Sequence, residues 1–264
     1  MKIAFIGLGN MANAILKGIL DAGIAKASDV TGVCNTSKTA IHMATEYGIN
    51  ASTEITDDVF ECDIVFLAVK PQVIESVAEK LKGRLNPEQL IVSVIAGKSL
   101  TWLKEHLGEG LKIIRTMPNT PALAGEGCTG ITSSDAVSDD ELQKVVNIFG
   151  SFGKAYVVKE SLMDTVGAVS GCSPAFVFMF MEALADGAVK YGMPRPMAYE
   201  FVTQTVLGSA KLMQETGNHP GVLKDMVCSP GGTTIEAVEA LEKGGFRASI
   251  MEAVDAVMEK SRKL

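Results

Sequence analysis

Residues 2–12 of the chain, KIAFIGLGNMA, join a short apolar run to a G-x-G-x-x-A fingerprint that opens a helical pattern. Gly7 permits a tight turn, Gly9 lets the backbone approach a pyrophosphate, and the small Ala12 lets the helix pack close to the strand. The start of the helix adds free N–H groups and a partial positive charge. An ordinary glycine turn is the alternative, but this order of elements favours a dinucleotide site. The predicted contacts are Gly7, Leu8, Gly9, Asn10 and Met11.

The segments that follow alternate apolar runs with helical patterns, which is typical of a doubly wound parallel sheet of the Rossmann type. The apolar runs are continuous, as expected for strands buried on both faces of a sheet. The predicted strands cover residues 3–6, 30–34, 64–69, 90–95, 113–117 and 153–158. The predicted helices between them cover residues 11–22, 38–47, 72–81 and 100–107, and a capping box at Ser138 and Glu141 opens another helix.

Beyond about residue 162 the pattern becomes entirely helical. The predicted helices cover residues 163–169, 174–192, 196–216, 220–227, 233–243 and 246–263. We therefore predict an α/β domain over residues 1–160 and an all-α dimerisation domain over residues 161–264. Helices such as 176–181 and 201–212 are apolar nearly all round, so their surface needs a partner, most simply a second copy of the chain. The alternative is that this surface packs only on the first domain.

Composition limits the classes of function. The chain has 264 residues with 24 basic and 31 acidic side chains, and its net charge of −7 argues against a nucleic-acid or anionic-membrane surface. The apolar stretch 174–181 is shorter than the roughly 18–20 residues that span a bilayer. Five scattered cysteines without a C-x-x-C pair make a disulfide framework or a metal site improbable and fit a reducing cytoplasm.

The end of the second predicted strand indicates which dinucleotide binds. An NAD enzyme usually carries Asp or Glu there to bind the ribose 2′-hydroxyl, whereas residues 34–38 read CNTSK. An amide, hydroxyls and a lysine suit a 2′-phosphate, so we predict NADPH, with NADH as a weaker alternative. The predicted contacts are Asn35, Thr36, Ser37 and Lys38. Thr36 and Ser37 also suit a helix cap, and the two roles are compatible.

Three loops follow successive strands at the edge where open parallel sheets bind ligands, the carboxyl ends of the strands. The predicted cofactor contacts in these loops are Ala68, Val69, Lys70, Ala96 and Asn119. Lys70 has a simpler alternative role as a solvated surface lysine, but its place at this edge favours cofactor contact.

Residues 229–236, SPGGTTIE, form the most informative segment of the helical half. Pro-Gly-Gly imposes a tight turn, and Thr233 with Glu236 forms a capping-box pattern. Glycines, hydroxyls and a helix start together make a carboxylate-binding nest. A plain helix cap is the alternative. The predicted substrate contacts are Ser229, Gly231, Gly232, Thr233 and Thr234.

The three histidines do not provide conventional acid–base chemistry. His42 and His106 lie on outer helices, His219 precedes a proline, and none adjoins a plausible nucleophile. Reducing a ketone requires a strong general acid, but an imine can arrive already protonated. The residues therefore suit an imine reductase that relies mainly on positioning, with a hydroxyl as the available donor.

Over essentially its whole length the sequence resembles the pyrroline-5-carboxylate reductases. The matching motifs occupy residues 5–11, 68–71, 117–121, 170–175, 186–187, 219–221, 223–225, 229–234 and 241–247. The loop Ser-Pro-Gly-Gly-x-Thr is the most specific of them.

The resemblance implies NAD(P)H-dependent reduction of 1-pyrroline-5-carboxylate to L-proline, the last step of proline biosynthesis, by an intertwined dimer. It implies that the 229–234 loop binds the substrate carboxylate, that Thr234 approaches the ring nitrogen, and that loop and nicotinamide come from different subunits. Two departures stand out. Residues 53–56 lack an asparagine that relatives commonly use for the cofactor, and Cys172 replaces a frequent serine, for which we expect a packing role.

Two rival functions remain at this point. A beta-hydroxyacid dehydrogenase shares the N-terminal motif and a helical second domain, but it needs a catalytic lysine where residues 171–181 have none; the next is Lys190. A non-catalytic nucleotide-binding protein would keep the first domain and would not need the 229–234 nest.

Overall fold

The fold was determined as a computed structural model, which describes residues 1–263. Eight strands form one sheet in the order β3-β2-β1-β4-β5-β6-β7-β8. Its strands are β1 (Ile3–Ile6), β2 (Val30–Val33), β3 (Asn50–Ser52), β4 (Ile64–Leu67), β5 (Leu90–Ser93), β6 (Lys112–Met117), β7 (Gly127–Ser133) and β8 (Gly153–Val157). All neighbouring pairs are parallel except β6 and β7. The predicted doubly wound sheet is confirmed.

Successive side chains of each strand point to opposite faces of the sheet. Both faces are apolar, and helices cover each of them. In β1, Ile3 and Phe5 enter one apolar cluster with α1, α2 and α5, whereas Ala4 and Ile6 enter another with α3 and α4. The helices are α1 (Asn10–Asp21), α2 (Ser37–Tyr47), α3 (Ile74–Leu81), α4 (Leu100–Leu107) and α5 (Asp139–Gly150). The predicted capping box at the start of α5 is present, and the Ser138 N–H lowers the pKa of Glu141 to about 2.

Two strands were not predicted. β3 is a three-residue strand at the edge of the sheet, and β7, with the sequence GCTGITS, lacks the continuous apolar run on which the prediction relied. β7 runs antiparallel to β6 because only a 3-10 turn, Thr120–Ala124, connects them, and a parallel return requires a much longer crossover.

The residues group into two compact units, one of residues 1–172 with 258–264 and one of residues 173–257. The first unit therefore extends beyond the predicted domain boundary at residue 160, since residues 160–172 bond to β6 and β7. The helical half contains α6 (Met163–Val166), a π-helix (Gly167–Cys172), α7 (Ser173–Lys190), α8 (Arg195–Thr216), α9 (Pro220–Val227), α10 (Thr233–Lys243) and α11 (Phe246–Ser261).

One helical stretch, Glu160–Lys190, is long and apolar enough to cross a membrane by length and composition. The expectation that this region is too short to do so considered only residues 174–181, and the continuous helix is longer. Only 17% of its most apolar window is buried within the single chain. The same composition is expected of a helix that another protein chain covers.

Candidate functional site

The glycine turn after β1 needs its first glycine for two reasons. Gly7 has a φ of 95°, which residues other than glycine rarely adopt. A Cβ at this position would also lie 2.7 Å from the carbonyl oxygen of Ala68. The turn after β1 and the turn after β4 are therefore in contact. Two of the predicted cofactor segments meet at this point.

Gly9 occupies a different environment. It is the N-cap of α1, no side chain caps this helix, and no atom beyond its chain neighbours lies within 4 Å of where a Cβ on Gly9 would be. The N–H groups of the first helical turn, which have no partner within a helix, adjoin this open space. Neighbouring Asn10 is exposed and Met11 is half-buried. This arrangement is what a bound pyrophosphate requires.

At the end of β2 the side chains divide into packed and free groups. Cys34 is buried, and burial raises the pKa of its thiol, which therefore remains neutral. Thr36 accepts a hydrogen bond from Thr39 N–H and caps α2 as predicted. The side chains of Asn35, Ser37 and Lys38 are exposed, and none has a hydrogen bond or ion pair to residues 1–263. They are available to an anion.

The loops after β4 and β5 supply the rest of this edge. Ala68 and Val69 are half-buried, while Lys70 and Ala96 are exposed. Lys70 precedes the 3-10 turn Pro71–Val73 and forms no ion pair within the described chain. Because β1, β4, β5 and β6 are parallel neighbours, the loops at their carboxyl ends share one edge of the sheet.

Asn119, which follows β6, uses its side chain inside the protein. Its Oδ1 accepts the Cys128 N–H at 2.8 Å, and its Nδ2 donates to the Ser170 carbonyl at 3.1 Å and to Ser170 Oγ at 3.2 Å. The residue is only 7% exposed. A cofactor contact by Asn119 therefore falls to its backbone.

The turn before α10 differs from the predicted capping box. Gly232 is the N-cap, no side chain caps the helix, and Thr233 and Thr234 are its first two residues. The prediction that Thr233 caps the helix with Glu236 is wrong, because Gly232 has the extended backbone of an N-cap and shifts Thr233 into the helix. The hydroxyls of Thr233 and Thr234 make no hydrogen bond within residues 1–263, so they remain available.

The rest of this turn is held by its backbone. Gly232 N–H donates to the Ser229 carbonyl at 3.0 Å, and a Cβ on Gly232 would lie 2.3 Å from Ser229 Oγ. Gly231 has a φ of 66° and faces open space. The predicted substrate residues thus form one turn at the start of a helix, in which Ser229, Gly231 and Thr233 are exposed and Gly232 and Thr234 are half-buried.

The histidines all have local structural partners. His106 stacks on Trp102 with ring centroids 3.9 Å apart, His42 pairs with Glu46, and His219 Nδ1 accepts the Gly221 N–H. Among residues 1–263 there is no group of three metal-ligating side chains.

The sequence pattern did not indicate the π-helix Gly167–Cys172, which lies against β6 and β7. Ser170 bonds to Asn119 and Cys128, and Met117 packs beside Gly167 and Gly171. Cys172, for which a packing role was expected, is exposed in the single chain. In the sequence, Gly167 and Gly171, spaced four residues apart, were the available sign that this segment packs closely against a neighbour.

Two family models match this chain, one over its C-terminal helices and one over its N-terminal strands and helices. A family model described as pyrroline-5-carboxylate reductase dimerisation matches residues 160–264. Another, described as NADP oxidoreductase, coenzyme F420-dependent, matches residues 2–97, which span β1 to β5.

Individual relatives match over the full length. The pyrroline-5-carboxylate reductase of Escherichia coli (strain K12) is 48% identical, covering 100% of this chain and 98% of the relative. That of Methanosarcina acetivorans is 42% identical, covering 100% and 97%. The crystal structure of Plasmodium falciparum pyrroline carboxylate reductase with NADP bound has a TM-score of 0.91 and 35% identity, covering 100% and 97%.

Proposed function

The chain belongs to the pyrroline-5-carboxylate reductase family, and from that premise we propose how its residues carry out NADPH-dependent reduction of 1-pyrroline-5-carboxylate to L-proline. The observation that carries the proposal is that one chain has both an open glycine turn after β1 and an uncapped hydroxyl-bearing turn before α10. The first suits a pyrophosphate and the second suits a carboxylate.

NADPH lies along the Gly7–Met11 turn in this proposal. The pyrophosphate occupies the open space beside Gly9, and the 2′-phosphate is bound by the side chains at the end of β2. The nicotinamide lies near Ala68, Lys70, Ala96 and the backbone of Asn119, since these residues share the carboxyl edge of the sheet.

The substrate carboxylate binds the turn before α10, at Ser229 and the backbone of Gly231 to Thr234. When bound, NADPH would supply a hydride to the imine carbon, and the ring nitrogen would gain its proton through the hydrogen-bonded Thr234 hydroxyl or from water. The support for this role is that the Thr234 hydroxyl has no partner within residues 1–263 and stands in the first turn of a helix. Orientation of the two reactants then supplies most of the rate enhancement.

The chain works as a homodimer in this proposal, with the nicotinamide and the substrate turn of one site provided by different subunits. Support comes from the dimerisation family model over residues 160–264 and from the exposed apolar side chains of α7 and α8, such as Phe178, Met179 and Phe201. A cytoplasmic location fits the five cysteines, all of which are free thiols.

The direct test is an assay of NADPH oxidation with pyrroline-5-carboxylate as the only added substrate. We expect NADPH absorbance to fall with stoichiometric formation of proline. Tight NADPH binding without oxidation would instead identify a non-catalytic nucleotide-binding protein.

Replacing Lys38 with alanine is expected to lower the preference for NADPH over NADH about fivefold, because an exposed charge-assisted contact contributes about 1 kcal/mol. The measurement is kcat/KM with each cofactor. Lys26→Ala is the matched control, since it removes an exposed lysine from the opposite end of β2. An unchanged preference in Lys38→Ala contradicts the placement of the 2′-phosphate.

A further inference from the structure

We propose that Asn119 is a positioning residue that holds the π-helix Gly167–Cys172 against the end of β6, beside the nicotinamide. The inference rests on the proposed function for the location of the nicotinamide. It assigns the Asn119 side chain an indirect role through Ser170, in place of the direct side-chain contact with the cofactor that its location at the carboxyl edge had indicated.

The first observation is the closed set of hydrogen bonds around Asn119. Its amide bridges β7 and the π-helix, bonding Cys128 N–H on one side and both oxygens of Ser170 on the other. Ser170 Oγ completes the set by donating to the Cys128 carbonyl at 3.2 Å. Three separate segments of the chain are therefore joined through one buried amide.

The second observation is the packing of Met117, the last residue of β6. A Cβ on Gly167 would lie 3.6 Å from the Met117 methyl carbon, and a Cβ on Gly171 would lie 3.8 Å from its sulfur. The thioether thus lies along a strip of the π-helix that carries no side chains. Backbone and side-chain contacts together place this helix at the end of β6.

The third observation is that the same segment is fixed at its other end. Arg115, 4% exposed, donates to Asp164 at 2.9 Å and lies 3.5 Å from Glu160, whose carboxylate also accepts the Leu100 N–H. Residues 160–172 are therefore anchored at both ends, to β6 by Arg115 and to the loop after β6 by Asn119. The Asn119 end is the one at the carboxyl edge of the sheet.

A π-helix is rare, and it persists where surrounding contacts hold it, often at functional sites. Removing the Asn119 amide frees the end of the segment next to the nicotinamide, while the contacts to the pyrophosphate and the 2′-phosphate remain. Hydride transfer depends on distances between reacting atoms of roughly 3–3.5 Å, so a small displacement lowers the rate steeply. The expected result is a fall in turnover with unchanged cofactor affinity.

The test compares Asn119→Ala, Ser170→Ala and wild type for kcat and for the NADPH dissociation constant. We expect kcat to fall about tenfold in Asn119→Ala and about threefold in Ser170→Ala, which keeps the backbone carbonyl bond. The NADPH dissociation constant should stay within about twofold of wild type in both variants. Ser170→Ala also keeps the test valid if Asn119→Ala does not fold.

Gln89→Ala is the matched control. Gln89 is 3% exposed, and its amide joins the Val59 and Cys62 carbonyls at the amino ends of β4 and β5. We expect it to lower Tm as much as Asn119→Ala without lowering kcat. The inference is overturned if Asn119→Ala weakens NADPH binding with kcat intact. It is also overturned if Asn119→Ala and Gln89→Ala lose the same fraction of kcat. Inactive wild-type protein overturns the proposed function itself.

Discussion

Gly9→Val is expected to weaken NADPH binding at least about a hundredfold while leaving the unliganded fold intact. The valine side chain would occupy the space assigned to the pyrophosphate, and the loss of two charge-assisted hydrogen bonds to N–H groups corresponds to about 3 kcal/mol. The fold tolerates the change because Gly9 has ordinary extended dihedral angles, φ −85° and ψ −171°, and an unobstructed Cβ position.

The measurement is a fluorescence or calorimetric titration with NADPH, accompanied by Tm of the protein without cofactor. Gly150→Val is the matched control, since Gly150, the last residue of α5, also has an unobstructed Cβ position. Gly7→Val should behave differently from both, because its backbone and the Ala68 carbonyl exclude a side chain and Tm itself should fall. Wild-type affinity in Gly9→Val would place the pyrophosphate elsewhere.

Thr234→Ala is expected to lower turnover about tenfold or more, the usual scale for losing a positioned donor. The turn itself should persist, since the Thr234 hydroxyl has no partner within residues 1–263 and the Gly232 N–H to Ser229 bond is unaffected. Thr234→Ser, which keeps the hydroxyl, is the control and should recover most of the turnover. Equal turnover in Thr234→Ala and wild type removes the hydroxyl from the mechanism.

The same variant reports whether two subunits share a site. In a mixture of equal amounts of Gly9→Val and Thr234→Ala chains, random pairing puts half of the chains in mixed dimers. If two subunits share each site, a mixed dimer has one intact site out of two. The mixture should then have about a quarter of wild-type activity. The separate variants average only about a twentieth. A mixture no more active than that average shows that each site is built from one chain.

For some elements the boundaries predicted from the sequence agree with the structure at both ends, whereas other elements were not predicted at all. The bounds of β1, α4, α9 and α10 were predicted because each combines a strong apolar pattern with glycine, proline or hydroxyl residues at its ends. β7 was missed because glycines and hydroxyls dominate it, and its place beside β6 comes from long-range pairing that local composition does not reveal.

The site shows the same division. Sequence spacing predicted a glycine turn at Gly9 and a turn before α10, and the structure has both turns, since they depend on local backbone geometry. It misassigned the cap at Thr233 because a glycine and a threonine compete for one position, and only the folded backbone shows that Gly232 occupies it. The use of the Asn119 amide was beyond prediction, since its partners Cys128 and Ser170 are distant in sequence.

The helical unit has a cluster of only three buried residues, Ala185, Ala198 and Val202, within the described chain. In the proposed homodimer the partner subunit supplies the interior that one copy does not have, so the folded fraction of this unit should depend on protein concentration. Until it binds a partner subunit, a newly made chain would expose this apolar surface and be prone to aggregation. We therefore expect chaperones to bind it during this time. Dilution should consequently inactivate the protein long before it damages the nucleotide-binding half, and cellular abundance becomes a determinant of its lifetime.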